Sequence, residues 1–228
     1  MTIEQLREEL ELSLTWRSDE LRMLKNNLSI MRHDEDKSKY RKTLIVMLYS
    51  HFEGFVKMSF LIYVKYINSL QIKRIDLKSK PELIASSMND IFQSYDNKDK
   101  KNKLFKRQTN DDKFIHTIYR RADLINAFSD YMDGIVEVDD KVIDTESNLW
   151  SHVIEKNFYK LGIQHNIFKS SYKNIDQLVN LRNAISHGNK KDGIPEKLYN
   201  TLEKTIIKDT MSRLILILIR EAKLLAIK

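Results

Sequence analysis

Places where the chain can turn are scarce. Five glycines and two prolines are spread over 228 residues, and these are the residue types that let a backbone reverse tightly. A sheet protein of this length needs many reversals, so the scarcity restricts the chain to a few long helices. Hydrophobic spacing agrees. Thr2 and Gln5 have the spacing of a capping box, a helix start in which each side chain satisfies the other's backbone N–H. Leu6, Leu10, Leu14, Leu21, Leu24 and Leu28 then keep an apolar stripe to about Arg32. Asp34 to Lys39 reads as a charged connection. A second helix is predicted from about Ser38 to Leu70, with a stripe of Leu44, Leu48, Phe52, Phe55, Ser59, Ile62 and Tyr66.

The middle of the chain is less regular. Pro81 suits the first turn of a helix carrying Leu83, Ile84, Met88, Ile91 and Phe92. Lys98, Lys100, Lys101, Lys103, Lys106 and Arg107 face one acid, Asp99, which reads as a solvated loop. Asp111 or Asp112 is placed to cap a helix running to about Tyr131. Ile135-Val136-Glu137-Val138 has extended character without an evident partner, and Trp150 to Phe158 reads as helical. Trp16 and Trp150 are expected to pack rather than to stack on bases. Asn174 or Asp176 starts a helix bearing Leu178, Leu181 and Ile185, which ends at Gly188, a residue suited to a left-handed stop. Pro195 opens the last long helix, and Leu214 to Ile219 is apolar all round, as in a helix buried on several sides. The expected fold is all-α: an up-and-down bundle of four main long helices in a single domain over residues 1–228. Residues 71–170 form a helical and loop insertion between the second and third.

Composition removes several function classes. There is no cysteine, hence no disulfide, thiolate metal site or cysteine nucleophile. His33, His116, His152 and His165 show no paired ligand spacing, and no metal or other cofactor is expected. The first ten residues hold three glutamates and no apolar run, so no secretory signal is read there. Leu214 to Ile219 is the longest apolar run and is far too short to span a bilayer. A cytoplasmic protein without a membrane partner is expected. The formal charge of +7 favours an acidic partner, nucleic acid first.

The chemistry-bearing stretch is Arg182-Asn183-Ala184-Ile185-Ser186-His187. Arginine offers a permanent charge and a planar fork matched to phosphate. Histidine exchanges a proton near neutral pH. Asn183 and His187 are four apart and share a helix face. Arg182 stands roughly 140° from His187 around an ideal helix, so the two meet at one groove only where the helix ends, or where a second copy supplies the other half. Without a function, His187 would be a last-turn histidine favoured by the helix dipole, and Arg182 a solvated cation.

Arg182-Asn183-x-x-x-His187 resembles the arginine, polar residue and histidine motif of HEPN-domain ribonucleases, near the end of their third core helix. Leu48-Tyr49-Ser50-His51-Phe52-Glu53-Gly54-Phe55-Val56-Lys57 resembles the second-helix segment of a stand-alone HEPN branch from bacterial defence loci. The resemblance covers residues 1–70 and 171–228. It implies an endoribonuclease, a toxin or anti-phage effector, that cleaves RNA without metal. His187 would serve as acid or base, Arg182 would bind the phosphoryl charge, and Asn183 would position the phosphate or imidazole. Glu53 is the candidate partner of Arg182 or His187, and His51 and Ser186 are further supporting candidates. Gly54 would allow another backbone to approach. Lys190 and Lys191, with Lys98, Lys100, Lys101 and Lys103, are the candidate RNA-binding lysines. One motif histidine per chain implies a homodimer with a composite site, and an antitoxin or defence-system partner is further expected. Asn189 stands where nucleotidyltransferase-controlled relatives carry a tyrosine, so control by that route is not implied. A second possibility is a non-catalytic helical module that binds RNA or protein.

Overall fold

The computed structural model describes residues 1–77, 79–97 and 113–226. Helix α1 spans Ile3–Asn26, opened by the Thr2–Gln5 capping box with both reciprocal bonds present. A short 3-10 turn, Asn27–Ile30, follows it. Helix α2 spans Asp34–Ser69. It begins earlier than the spacing predicted because Asp34, Glu35 and Asp36 fall in its first turn, where carboxylates meet the positive end of the helix dipole. The charged stretch is therefore helix, and the true connection is Met31 to His33.

All seven stripe residues of α2, from Leu44 to Tyr66, are buried. Helix α2 is the central element, packed against α1, α7 (Tyr172–Ser186), α8 (Glu196–Lys204) and α9 (Arg213–Ala226). By length and composition α2 would also suffice to cross a membrane, but 56% of its most apolar stretch is buried inside the molecule. Helices α8 and α9 are joined without a break by a π-helical turn, Thr205–Ser212. There Thr210 and Ser212 donate side-chain bonds to carbonyls five residues back, Thr205 O and Ile207 O. In the run from Leu214 to Ile219 only Leu216 is exposed, at 64%.

In the middle, the helix expected from Pro81 is divided at Met88 into α3 (Pro81–Ser87) and α4 (Asn89–Asp96). Helix α5 spans Lys113–Asp133 and α6 Ser151–Lys160. The caps expected at Asp111 or Asp112 lie outside the described residues. The extended stretch after Gly134 does find a partner: Arg74 N–H donates to Gly134 O and Val136 N–H to Ile72 O, a single antiparallel bridge. Among the described residues no longer sheet forms. The middle is anchored to the bundle at Lys80, which donates to Gly162 O at 2.8 Å and to the buried Glu221 of α9 at 2.9 Å.

Two expectations change here. Helix α7 starts at Tyr172, after a 3-10 turn at Lys169–Ser171, not at Asn174 or Asp176. Those side chains serve other elements: Asn174 donates to Thr205 Oγ1 at 2.9 Å, and Asp176 accepts from the N–H and hydroxyl of Ser151, capping α6. Trp150 packs partly buried on the core, whereas Trp16 is 51% exposed.

Candidate active site

Helix α7 ends in a tightly bonded stop. Gly188 N–H donates to Ile185 O at 3.0 Å and Asn189 N–H to Ala184 O at 2.8 Å, with Gly188 at φ 73°. That left-handed conformation is open to glycine without steric cost. His187 is the C-cap: its backbone N–H is used on Asn183 O. Its side chain is exposed, as are those of Ser186 and Lys191, while Lys190 is half-buried. Among the described residues nothing hydrogen-bonds the His187 imidazole.

The segment after His187 is tied to the start of α2. Lys42 Nζ donates to Lys190 O (3.1 Å) and Lys191 O (3.3 Å), and Ile194 N–H to Ser38 O (2.8 Å). Arg41 donates to Ile194 O at 3.4 Å and pairs with Glu196 at 3.2 Å. Gly193 lies so close to Ser38 that a Cβ there would stand 2.7 Å from the Ser38 carbonyl carbon.

Arg182 is held from three sides. Its Nη1 donates to Asn183 Oδ1 (2.8 Å) and Asn148 Oδ1 (3.0 Å). Its guanidinium carbon lies 4.3 Å from the ring centre of Tyr49 on α2. Its Nη2 is 4.0 Å from Glu53 Oε2, each side chain about one-quarter exposed. Glu53 therefore faces Arg182, at ion-pair contact rather than in the two short parallel bonds of a bidentate fork. Tyr49 in turn accepts the Leu149 N–H at 2.9 Å. Burial pushes the Tyr49 phenol up, with Glu53 adding to the rise, so it stays protonated at neutral pH.

His51 does not join this group. It is buried against α1, edge-on to Trp16 at 5.5 Å between ring centres, with Nε2 3.4 Å from Glu20. Burial holds its imidazole below the ordinary value. The contact to Glu20 is therefore that of a neutral ring, not an ion pair. At Gly54 the neighbour is the Arg17 guanidinium, 3.5 Å from where a Cβ would stand, and not another backbone. Lys98, Lys100, Lys101 and Lys103 lie outside the described residues.

Two contributors were not predicted from sequence. Tyr49 is four residues before Glu53 and shares its face, the sequence relation that marks it. Asn148 comes from the middle of the chain, just after Glu146 and Ser147 at φ 48° and 65°, and no periodic pattern marks it.

An all-α bundle with an arginine and histidine at the end of its α7 helix is the class that the HEPN resemblance implied. The chain belongs to the RiboL-PSP-HEPN family, whose model matches residues 12–224. The match runs through residues 71–170, which the motif resemblance had left out, and it supports an RNA-related, nuclease-type function. No curated protein and no solved structure matches the chain.

Proposed function

We propose that the protein is a metal-independent endoribonuclease acting as a toxin or anti-phage effector in the cytoplasm. The observation that carries this reading is the contrast within one helix end. His187 is exposed and, among the described residues, unbonded, while Arg182, five residues earlier, is fixed in orientation by Asn148, Asn183 and Tyr49. A proton-transfer group needs access, and a charge-stabilising group needs preorganisation.

In the proposed reaction the ribose 2′-OH attacks its own phosphorus, and its proton passes to a base. The bond from phosphorus to O5′ breaks as an acid protonates that oxygen. The products are a 2′,3′-cyclic phosphate and a 5′-OH. DNA lacks the nucleophile. His187 serves as acid or base, Arg182 stabilises charge on the phosphoryl oxygens, and Asn183 links the two by holding Arg182. Glu53 balances the Arg182 charge. Lys190, Lys191 and the Lys98–Lys103 run contribute phosphate attraction. The second proton-transfer group is His187 of a second copy in a two-fold dimer. An antitoxin or defence-system protein would restrain the activity.

One observation favours the non-catalytic RNA- or protein-binding alternative: Arg182 is already bonded within its own chain. The experiment that decides is incubation of purified protein with total RNA in chelator, followed by analysis of fragment ends. Cyclic-phosphate ends that vanish in His187→Ala support the nuclease. Intact RNA with wild-type protein supports the binding module.

A further inference from the structure

Arg17, the α1 residue that faces Gly54 of α2, is an unusual arginine. It is buried, at 8% exposure, and among the described residues no carboxylate lies within ion-pair distance of it. Nη1 is used on Ser13, donating to its carbonyl (2.8 Å) and hydroxyl (2.7 Å). Among the described residues Nη2 and Nε bond no protein group, and they face Gly54, 3.5 and 3.9 Å from a Cβ built there. Burial without a counter-charge lowers the pKa of this guanidinium, although arginine remains protonated in proteins. Neither nitrogen is fully buried, so this side of the fork still offers charged N–H donors to an anion.

Trp16 lies beside it. The Arg17 guanidinium carbon is 4.2 Å from the Trp16 ring centre and the His51 ring approaches edge-on. The indole is thus braced by two neighbours yet half exposed. Braced aromatics stack on nucleobases at low entropic cost, and the gain is largely independent of base identity. Lys57, one turn on from Gly54, is exposed on α2. Adjacent positions of α2, Glu53 and Gly54, face the two arginines, Arg182 and Arg17.

We propose that Trp16 and Arg17 form a second nucleotide-binding site for single-stranded RNA, with a base on the open indole face and its phosphate on the Nε and Nη2 edge of Arg17. The site rests on the ribonuclease reading and adds to it a place where the strand is gripped away from the reacting phosphate. A second copy of the chain is a poorer occupant. A two-fold contact here would bring two unpaired guanidiniums together in a chain of formal charge +7. An RNA strand supplies both the missing negative charge and a planar face. Glu20, 3.4 Å from His51 Nε2, adds a carboxylate beside the ring that braces Trp16 and keeps the grip weaker than charge count suggests.

The test uses the full chain and a short single-stranded RNA methylated at every 2′ oxygen, which binds but cannot react. Binding is read by anisotropy at several salt concentrations. Trp16→Leu, at an exposed position, is expected to bind roughly 5- to 100-fold more weakly. Arg17→Gln is expected to weaken binding and reduce the salt slope by about one. In a Trp150→Phe background the remaining indole emission is expected to be quenched by RNA. Unchanged affinity and salt slope in both variants, with melting temperatures showing both folded, overturn the site while leaving the nuclease reading intact. A change of oligomeric state without a change in RNA affinity overturns it in favour of a protein contact. Failure of the wild-type chain to bind any RNA overturns both readings.

Discussion

The guanidinium carbon of Arg182 stands 4.3 Å above the ring centre of Tyr49, and the hydroxyl of that tyrosine accepts the backbone N–H of Leu149. One side chain on α2 therefore fixes both the charged group of α7 and the loop that delivers Asn148. The ring does the first job and the oxygen the second, so two substitutions separate them. Tyr49→Phe keeps the ring but strands a buried donor, and should lower stability by about 1–3 kcal/mol with cleavage changed only a few-fold. Tyr49→Leu removes the aromatic face, and loss of about 0.5–2 kcal/mol of cation–π orientation should slow cleavage roughly 2- to 30-fold. Thermal melts and single-turnover rates check both, and equal rates for the two variants would exclude the ring as a platform.

His187→Ala should abolish cleavage and leave the melting temperature nearly unchanged, because the imidazole is exposed and its backbone makes the helix cap. Arg182→Lys should lose roughly 100-fold or more in rate, since a lysine cannot keep the bond to Asn148 and still present a planar fork. Toxicity on expression and fragment-end analysis are the readouts. A His187→Ala chain as toxic as wild type would remove the catalytic assignment.

Gly193 and Gly54 make opposite predictions. A Cβ at Gly193 would stand 2.6 Å from Ser38 Cβ and 2.7 Å from its carbonyl carbon. Gly193→Ala must therefore push the segment after His187 off α2, costing about 1–3 kcal/mol. At Gly54 the nearest atom is 3.5 Å away and belongs to the Arg17 side chain, so Gly54→Ala should be close to neutral. Denaturant melts of both variants test the contrast.

Arg182→Ala and His187→Ala chains, each inactive, should partly recover activity when mixed if the site is shared by two copies, because a heterodimer retains one intact arginine and one intact histidine. A fully active monomer at assay concentration, shown by light scattering, would refute the shared site and direct attention to Glu53 as the second proton-transfer group.

Acid should weaken the tie between the middle of the chain and α9. Burial alone would raise the Glu221 carboxyl, but hydrogen bonds from Lys80 and Arg220 outweigh it and hold the group below its ordinary 4.5. A depressed carboxyl stabilises fully above its unfolded pKa, and the contribution is lost as pH falls through the folded value. Melting temperature should drop as pH falls below the ordinary carboxylate value and through the lowered Glu221 value, and Glu221→Gln should be less stable at neutral pH with a flatter acid limb. Parallel acid limbs for the two proteins would show that other carboxyls dominate.

The bundle was legible because its signal is periodic. Leu44, Leu48, Phe52, Phe55, Ser59, Ile62 and Tyr66 were read as one face, and all are buried. Gly188 was read as a left-handed stop because few other residues tolerate φ 73°. What escaped has no period. Asn148 reaches Arg182 across 34 positions of sequence, and Asp176, read as a start for its own helix, caps another. Trp16 was expected to pack because large apolar residues usually do, yet the α1 stripe passes beside it and leaves its ring half in water.

The clamp of Arg41, Lys42 and Ser38 on residues 190–196 has a consequence in time. Its α2 half, Ser38 to Lys42, is made early and its other half late, with Glu196 the last to appear. While the chain is being translated, the start of α2 stands without this clamp until the segment that follows His187 has been made. A protein whose proposed substrate surrounds it at birth, in the message and the ribosome that make it, thus acquires its reactive end only after its central helix has been laid down.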